Sequence, residues 1–131
     1  MVLDASVLVR SIAEPVVGEA RDWLVRIQQR AVEARAPDFV FVEAGHALAR
    51  YARAGRLTER RLTHAVRALA RVAVETTAAK LLAEPACRTA LVRRLSVYDA
   101  CYVVLAEASG AALVTADRRL AAATEQGVLI T

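Results

Sequence analysis

Cysteine, proline, lysine and aromatic residues are all scarce in this chain, and each shortage removes a class of protein. There are two cysteines in 131 residues, too few for a disulfide framework, and no closely spaced Cys/His pairs that would make a zinc site. Cys87 and Cys101 fall on apolar helical stretches and read as buried free thiols. No apolar run approaches the roughly 18 residues that cross a bilayer; the longest, ACYVVLA, is the body of a short helix. Met1 leads through Val2-Leu3 to Asp4, without the basic start and apolar middle of a signal peptide. The chain therefore reads as a cytoplasmic protein with no membrane partner. Neither a G-x-G-x-x-G or G-K-[ST] phosphate loop nor a Gly-x-Ser-x-Gly elbow occurs.

What is present is apolar and basic. Hydrophobic residues make up 56% of the chain and aromatics only 5%, so the core is built from small and branched side chains. The length suits one domain, 1–131, with a sizeable core. The net charge is +4, and Lys80 is the one lysine among 18 basic residues. Arginine offers a planar donor fork that suits phosphate, so the composition admits a nucleic-acid partner, though a solvated arginine-rich surface explains it equally well.

Strand and helix signals alternate along the chain. Val2-Leu3 is a short apolar start; Pro15 and Gly18 interrupt. Ala20, Trp23, Leu24 and Ile27 have helical spacing, with Trp23 as a core anchor. AVEARAP reads as a strand stopped at Pro37. Asp38 is placed to cap a helix over roughly 39–54, ended by Gly55. Thr58 opens a second helix to about Ala70, and 72–75 is a strand candidate. A helix over 77–94 carries Pro85 as a kink or break. Another begins at Ser96 and ends near Gly110. A strand at 112–115, a short helix over 117–125, a turn at Gly127 and a strand at 128–130 complete the order. Such alternation predicts an α/β fold: a three-layer arrangement with a short-stranded, mainly parallel central sheet flanked by helices.

In a fold of this kind the loops leaving the C-terminal strand ends form the ligand edge, deepest where strand order reverses. Asp4 ends the first strand and Asp117 lies just past the strand 112–115. Glu43 and Asp99 lie in the opening turns of helices that start at the same edge. Each has an innocent explanation. Asp4 and Asp117 suit helix N-caps, Glu43 suits a solvated helix face, and Asp99 suits an acidic capping box with Ser96. Together they are harder to explain. Clustered like charges raise one another's pKa and destabilise the fold unless a cation neutralises them. Oxygen-only ligands suit Mg²⁺, or Mn²⁺.

Four segments, MVLDASVLV, VEAGHAL, SVYDACYVVLAE and ALVTADRRL, resemble the motif regions of PIN-domain nucleases, most closely the VapC-type toxins of bacterial toxin–antitoxin pairs. The resemblance runs through the whole chain in order. It implies a PIN-like domain that hydrolyses RNA phosphodiester bonds with a divalent metal. Asp4, Glu43, Asp99 and Asp117 match the family's acidic set, with Asp4, Asp99 and Asp117 as metal ligands and Glu43 orienting the attacking water. Ser6 and Thr115 match its supporting hydroxyls. Many relatives carry a further Asp or Asn after the last aspartate; here Arg118, Arg119 and Leu120 follow, which leaves the second metal position in doubt. A cognate antitoxin and a homodimer are implied as partners. The apolar stripes Val42, Leu48, Ala49 and Leu62, Val66, Leu69 offer a face for the antitoxin. Arg10 and Arg118, near Asp4 and Asp117 in sequence, are the favoured RNA contacts; Arg50, Arg53, Arg56, Arg60, Arg67 and Arg71 form further basic helix faces.

Other readings are open. A PIN-type RNA-processing nuclease would keep the chemistry without the toxin role, and an inactive PIN-like module would bind without cutting. Glu43-Ala-Gly-His46 has the Glu-x-x-His spacing of di-iron bundles, but such sites need two copies. A phosphoacceptor receiver domain would need a lysine after a late strand, whereas Lys80 lies inside a helix.

Overall fold

The structure, a computed structural model, describes residues 1–13 and 18–131; the expected interruption at Pro15 lies outside them. The elements in order are β1 (Val2–Leu3), α1 (Ala5–Ala13), α2 (Glu19–Gln28), β2 (Ala34–Pro37), α3 (Val40–Arg53), α4 (Glu59–Leu69), β3 (Val74–Thr77), α5 (Ala79–Arg93), α6 (Val97–Ser109), β4 (Leu113–Thr115), α7 (Arg118–Ala122) and β5 (Gly127–Leu129). The strands form one sheet in the order β3-β2-β1-β4-β5, and every pairing is parallel. This is the expected three-layer α/β/α arrangement.

The chain moves outward from β1 to β2 and β3, then returns to the other side for β4 and β5. Right-handed crossovers therefore place α1–α4 on one face and α5–α7 on the other. The packing agrees: α1 meets α2 and α3, α3 meets α4, and α5 lies along α6. Strand order reverses between β1 and β4, so the crevice beyond their C-terminal ends is where such a sheet holds a ligand. Val2, Leu3, Leu113 and Val114 are wholly buried beneath it, as strands covered on both faces must be.

Several local expectations are corrected. β3 begins two residues later than the apolar run suggested. Val72 is buried outside the sheet, while Val74–Thr77 align one-for-one with Ala34–Pro37. α5 runs through Pro85 as one helix; Leu82, Ala86 and Ala90 bury an unbroken stripe that offsets the missing N–H. α7 stops at Ala122, and Gly127 opens β5 instead of turning before it. Asp38 does not cap α3, whose cap position is Phe39 with no side-chain bond. Its Oδ1 accepts from Ala79 N at 3.1 Å and so caps α5. Trp23 packs against the core as expected but stays half-buried, with the Arg26 guanidinium 4.4 Å from its ring centroid. Cys101 is buried as expected, but Cys87 is exposed; both are free. Gly55 and Gly110 end α3 and α6 with positive φ (74° and 61°), which favours glycine.

Candidate functional site

Local sequence explains why carboxylates gather at the crevice. β1 is only two residues long, so Asp4 emerges at its C-terminal end and turns the chain into α1. β2 ends at Pro37 and α3 starts at Val40, which sets Glu43 in the first helical turn. Ser96 Oγ accepts from Asp99 N at 3.0 Å and starts α6, which holds Asp99 in its opening turn. That bond is half of the capping box. Asp99's own carboxylate makes none of the bonds that close it, so the helix start does not consume the charge.

Asp4 is 4% exposed and is held by a hydroxyl network. Its Oδ2 accepts from Thr115 Oγ1 at 2.7 Å, from Ser6 N at 3.4 Å and from Ser6 Oγ in a short bond. Oδ1 takes none of the three. The hydroxyls pass the connection onward: Ser6 Oγ accepts from Ala116 N at 2.9 Å and Thr115 Oγ1 accepts from Asp117 N at 3.0 Å. Two distant segments, the end of β1 and the end of β4, are thereby locked at the point where strand order reverses. Burial raises the Asp4 pKa and the Asp99 charge adds to it, while the bonds from Ser6 and Thr115 oppose the rise.

Glu43 is half-buried, and its pKa is pushed up to about 7, first by burial and then by the charges of Asp4 and Asp99. Its Oε2 is buried with no hydrogen-bond partner among the described residues. Tyr102, fully buried one turn along α6 from Asp99, shares the spot. Its hydroxyl sits close enough to favour the Glu43 carboxylate, yet it completes no hydrogen bond of standard geometry. Burial and the charges of Glu43, Asp4 and Asp99 raise the Tyr102 pKa far above its ordinary value, so this hydroxyl keeps its proton. Sequence reasoning gave Tyr102 no role. A polar tip three residues after Asp99, hence on the same helix face, is the signal that would have found it.

Asp4, Glu43 and Asp99 thus feel one another's charge. Asp117 stands at the margin: it is exposed, and its Oδ1 caps α7 by accepting from Arg119 N at 2.7 Å and Leu120 N at 3.3 Å. The innocent account of Asp117 holds for that oxygen. Among the described residues no three His, Cys, Asp or Glu side chains stand closely enough to hold a metal ion. The chemistry of the donor set nevertheless fits a hard cation. It offers carboxylate oxygens only, one of them an orphan, in a pocket where burial and neighbouring negative charge raise the pKa of Asp4 and Glu43 with no basic group among the causes.

Arg118 opens α7 beside Asp117 and is exposed, and Arg10 lies in the last turn of α1 with a partner of its own. Arg50, Arg53 and Arg56 are exposed at the far end of α3; at about 1.5 Å per residue, Arg53 lies roughly 15 Å along the axis from Glu43. Arg56 stacks over Tyr51 at 4.8 Å. Of the apolar stripes, Leu48 and Leu69 are consumed by the core, while Val42 and Val66 remain exposed. His46 and His64 are exposed.

Residues 1–126 match the family model of the PIN domain. The crystal structure of PAE2754 from Pyrobaculum aerophilum is similar over 97% of this chain and 87% of that one, with 28% identity and a TM-score of 0.74. No protein of curated function matches the chain.

Proposed function

The chain belongs to the PIN-domain family, whose members are generally nucleases that act on nucleic acid with divalent metal ions, and from that premise we propose that it is a Mg²⁺-dependent endoribonuclease, the toxin of a toxin–antitoxin pair. The observation that carries the reading is Glu43: a carboxylate with an orphaned buried oxygen, its pKa raised to about 7 first by burial and then by the charges of Asp4 and Asp99. Such a pocket is unfavourable for the bare protein and favourable for a cation.

Asp4 and Asp99 would hold the ion, with Asp117 contributing through its second oxygen or through water. When bound, the ion supplies Lewis-acid stabilisation of phosphate charge and lowers the pKa of water. The chain's own residues do the rest. Ser6 and Thr115 fix Asp4 through Oδ2 and leave Oδ1 outside those bonds. Glu43, with a pKa near neutrality, is matched to orient water and accept its proton. Arg118 and Arg10 bind flanking phosphates. The products carry a 5′-phosphate and a free 3′-hydroxyl.

An open groove of about 1690 Å³ between α1, α2 and α4 mixes apolar Ile12, Leu24, Val25 and Leu57 with basic residues such as Arg21 and Arg60. A groove of that make-up suits an amphipathic antitoxin segment with acidic residues along its apolar face. Incubating the purified protein with total RNA in Mg²⁺ or in EDTA, and mapping new ends, tests the reading. Cleavage is expected in Mg²⁺ alone, and Asp4→Asn and Asp99→Asn are expected to abolish it while remaining folded. Undiminished cleavage by Asp4→Asn refutes the assignment.

A further inference from the structure

The carboxylates repel the phosphates of the RNA on which they are proposed to act, so the substrate must be held by something else. The chain has few aromatic residues, and one of them is spent on solvent. Tyr98 is 65% exposed, the most open aromatic ring among the described residues. It immediately precedes Asp99 in the first turn of α6. Starting the helix does not call for a tyrosine there. Ser96 supplies the helix cap, and α6 is buried through Ala100, Cys101, Tyr102 and Val103.

Nor is the ring loose. Phe39 meets it edge-on, with centroids 5.4 Å apart and planes at 80°. Phe39 also meets the fully buried Tyr102 at 5.8 Å and 85°. Three rings therefore lead from the core beside Glu43 out to solvent beside Asp99, and the outermost keeps most of its surface in water. On the adjoining helix Val42, 75% exposed, immediately precedes Glu43. Two large apolar groups are thus left open, each one position along its helix from an acidic residue.

We propose that Tyr98 is a stacking platform for a nucleobase of single-stranded RNA, positioning the adjoining phosphate at Asp99; this deepens the ribonuclease reading and rests on it. An ordered ring with an open face suits a base, because every base has a π-face and stacking tolerates sequence. Seating the base on an apolar ring supplies binding free energy that the acidic pocket cannot, and it does so one residue from the chemistry.

The test is steady-state cleavage of a single-stranded RNA oligonucleotide in Mg²⁺ by the wild type and by Tyr98→Phe, Tyr98→Leu and Tyr98→Ala. Each protein is checked for an unchanged melting temperature, and Leu serves if Ala loosens Phe39. Removing the ring is expected to raise KM about tenfold, the worth of one stacked base, with the loss in KM and not in kcat. Phe is expected to stay within about twofold of wild type, since the π-face remains. The same penalty disappears on an oligonucleotide with abasic nucleotides at the cut site. An unchanged KM for both Leu and Ala overturns the proposal. So does a Phe variant as impaired as Ala, which would mean the hydroxyl is what matters. An effect confined to self-association in sedimentation also overturns it and assigns the ring to a protein contact. If the wild type cleaves no RNA, the ribonuclease reading falls and this proposal with it; if the wild type cleaves and Tyr98→Ala matches it, this proposal falls alone.

Discussion

Thr115 uses one oxygen twice, donating to Asp4 Oδ2 and accepting from Asp117 N. It is wholly buried, so neither bond can be replaced by water without rearrangement. Thr115→Val keeps the shape and removes both bonds; it is expected to cost about 1–3 kcal/mol in urea unfolding and to lower cleavage by freeing the Asp4 carboxylate. Glu43 makes a pH prediction. Its folded pKa is about 7 against an ordinary 4.5, so the folded protein holds a proton that the unfolded chain has released. Without a cation, this contribution to stability is fully present below about pH 4.5 and is lost as pH rises through about 7. Asp4, also raised, acts in the same direction. Glu107, held below the carboxylate range by Arg93, acts in the opposite one, in the window beneath its ordinary 4.5. Metal-free protein is therefore expected to melt higher at about pH 5.5 than at about pH 8, and Glu43→Gln to flatten the difference. An unchanged difference in Glu43→Gln contradicts the assignment. Glu43 was legible in the sequence because Val40, Phe41, Val42 and Ala44 surround it; Tyr102 was not, because a tyrosine in an apolar helix looks like core until its hydroxyl is placed.

Among the elements, β5 depends on one glycine. A Cβ at Gly127 would stand 2.0 Å from Ala121 O, which is backbone and cannot swing aside. Gly127→Ala is expected to cost about 1–3 kcal/mol by urea unfolding. Because β5 pairs with β4 along its length, specific activity should fall as well. The sequence named Gly127 as a turn; the close approach to α7 that demands glycine is a tertiary fact. The same limit explains the other misses. β3 is set by its register on β2, not by its own apolar run. The partner of Asp38 is 41 residues away. Pro85 stays inside a helix because that helix packs along α6. What local pattern does specify came through: the strand at 2–3, the strand expected at 112–115 and found at 113–115, the start of α4 at Thr58 and of α6 at Ser96, and the glycine ends of α3 and α6.

At the scale of the molecule, the parallel order β3-β2-β1-β4-β5 brings Asp4, Glu43 and Asp99 to one end of the sheet, where Glu43 feels the other two charges. Alternating strand and helix signals were enough to anticipate the layers; strand order was not, because pairing partners leave no local mark. On the proposed ribonuclease reading, Arg118 and Arg10 hold RNA phosphates that the carboxylates themselves repel. RNA binding is therefore expected to weaken steeply with salt, with a smaller slope for Arg118→Ala; salt-independent binding counts against phosphate contacts. The central claim is that a divalent cation belongs among Asp4, Glu43 and Asp99, and a ligand that binds only the folded state raises stability by about 2.7 kcal/mol at a hundred times its Kd. The decisive measurement is thermal melting of wild type and Asp4→Asn across a Mg²⁺ titration at about pH 8, above the Glu43 pKa of about 7. A saturable rise in Tm is expected for the wild type, reversed by EDTA and absent from Asp4→Asn. A wild-type Tm indifferent to Mg²⁺ and Mn²⁺, or an equal rise in Asp4→Asn, would contradict the claim.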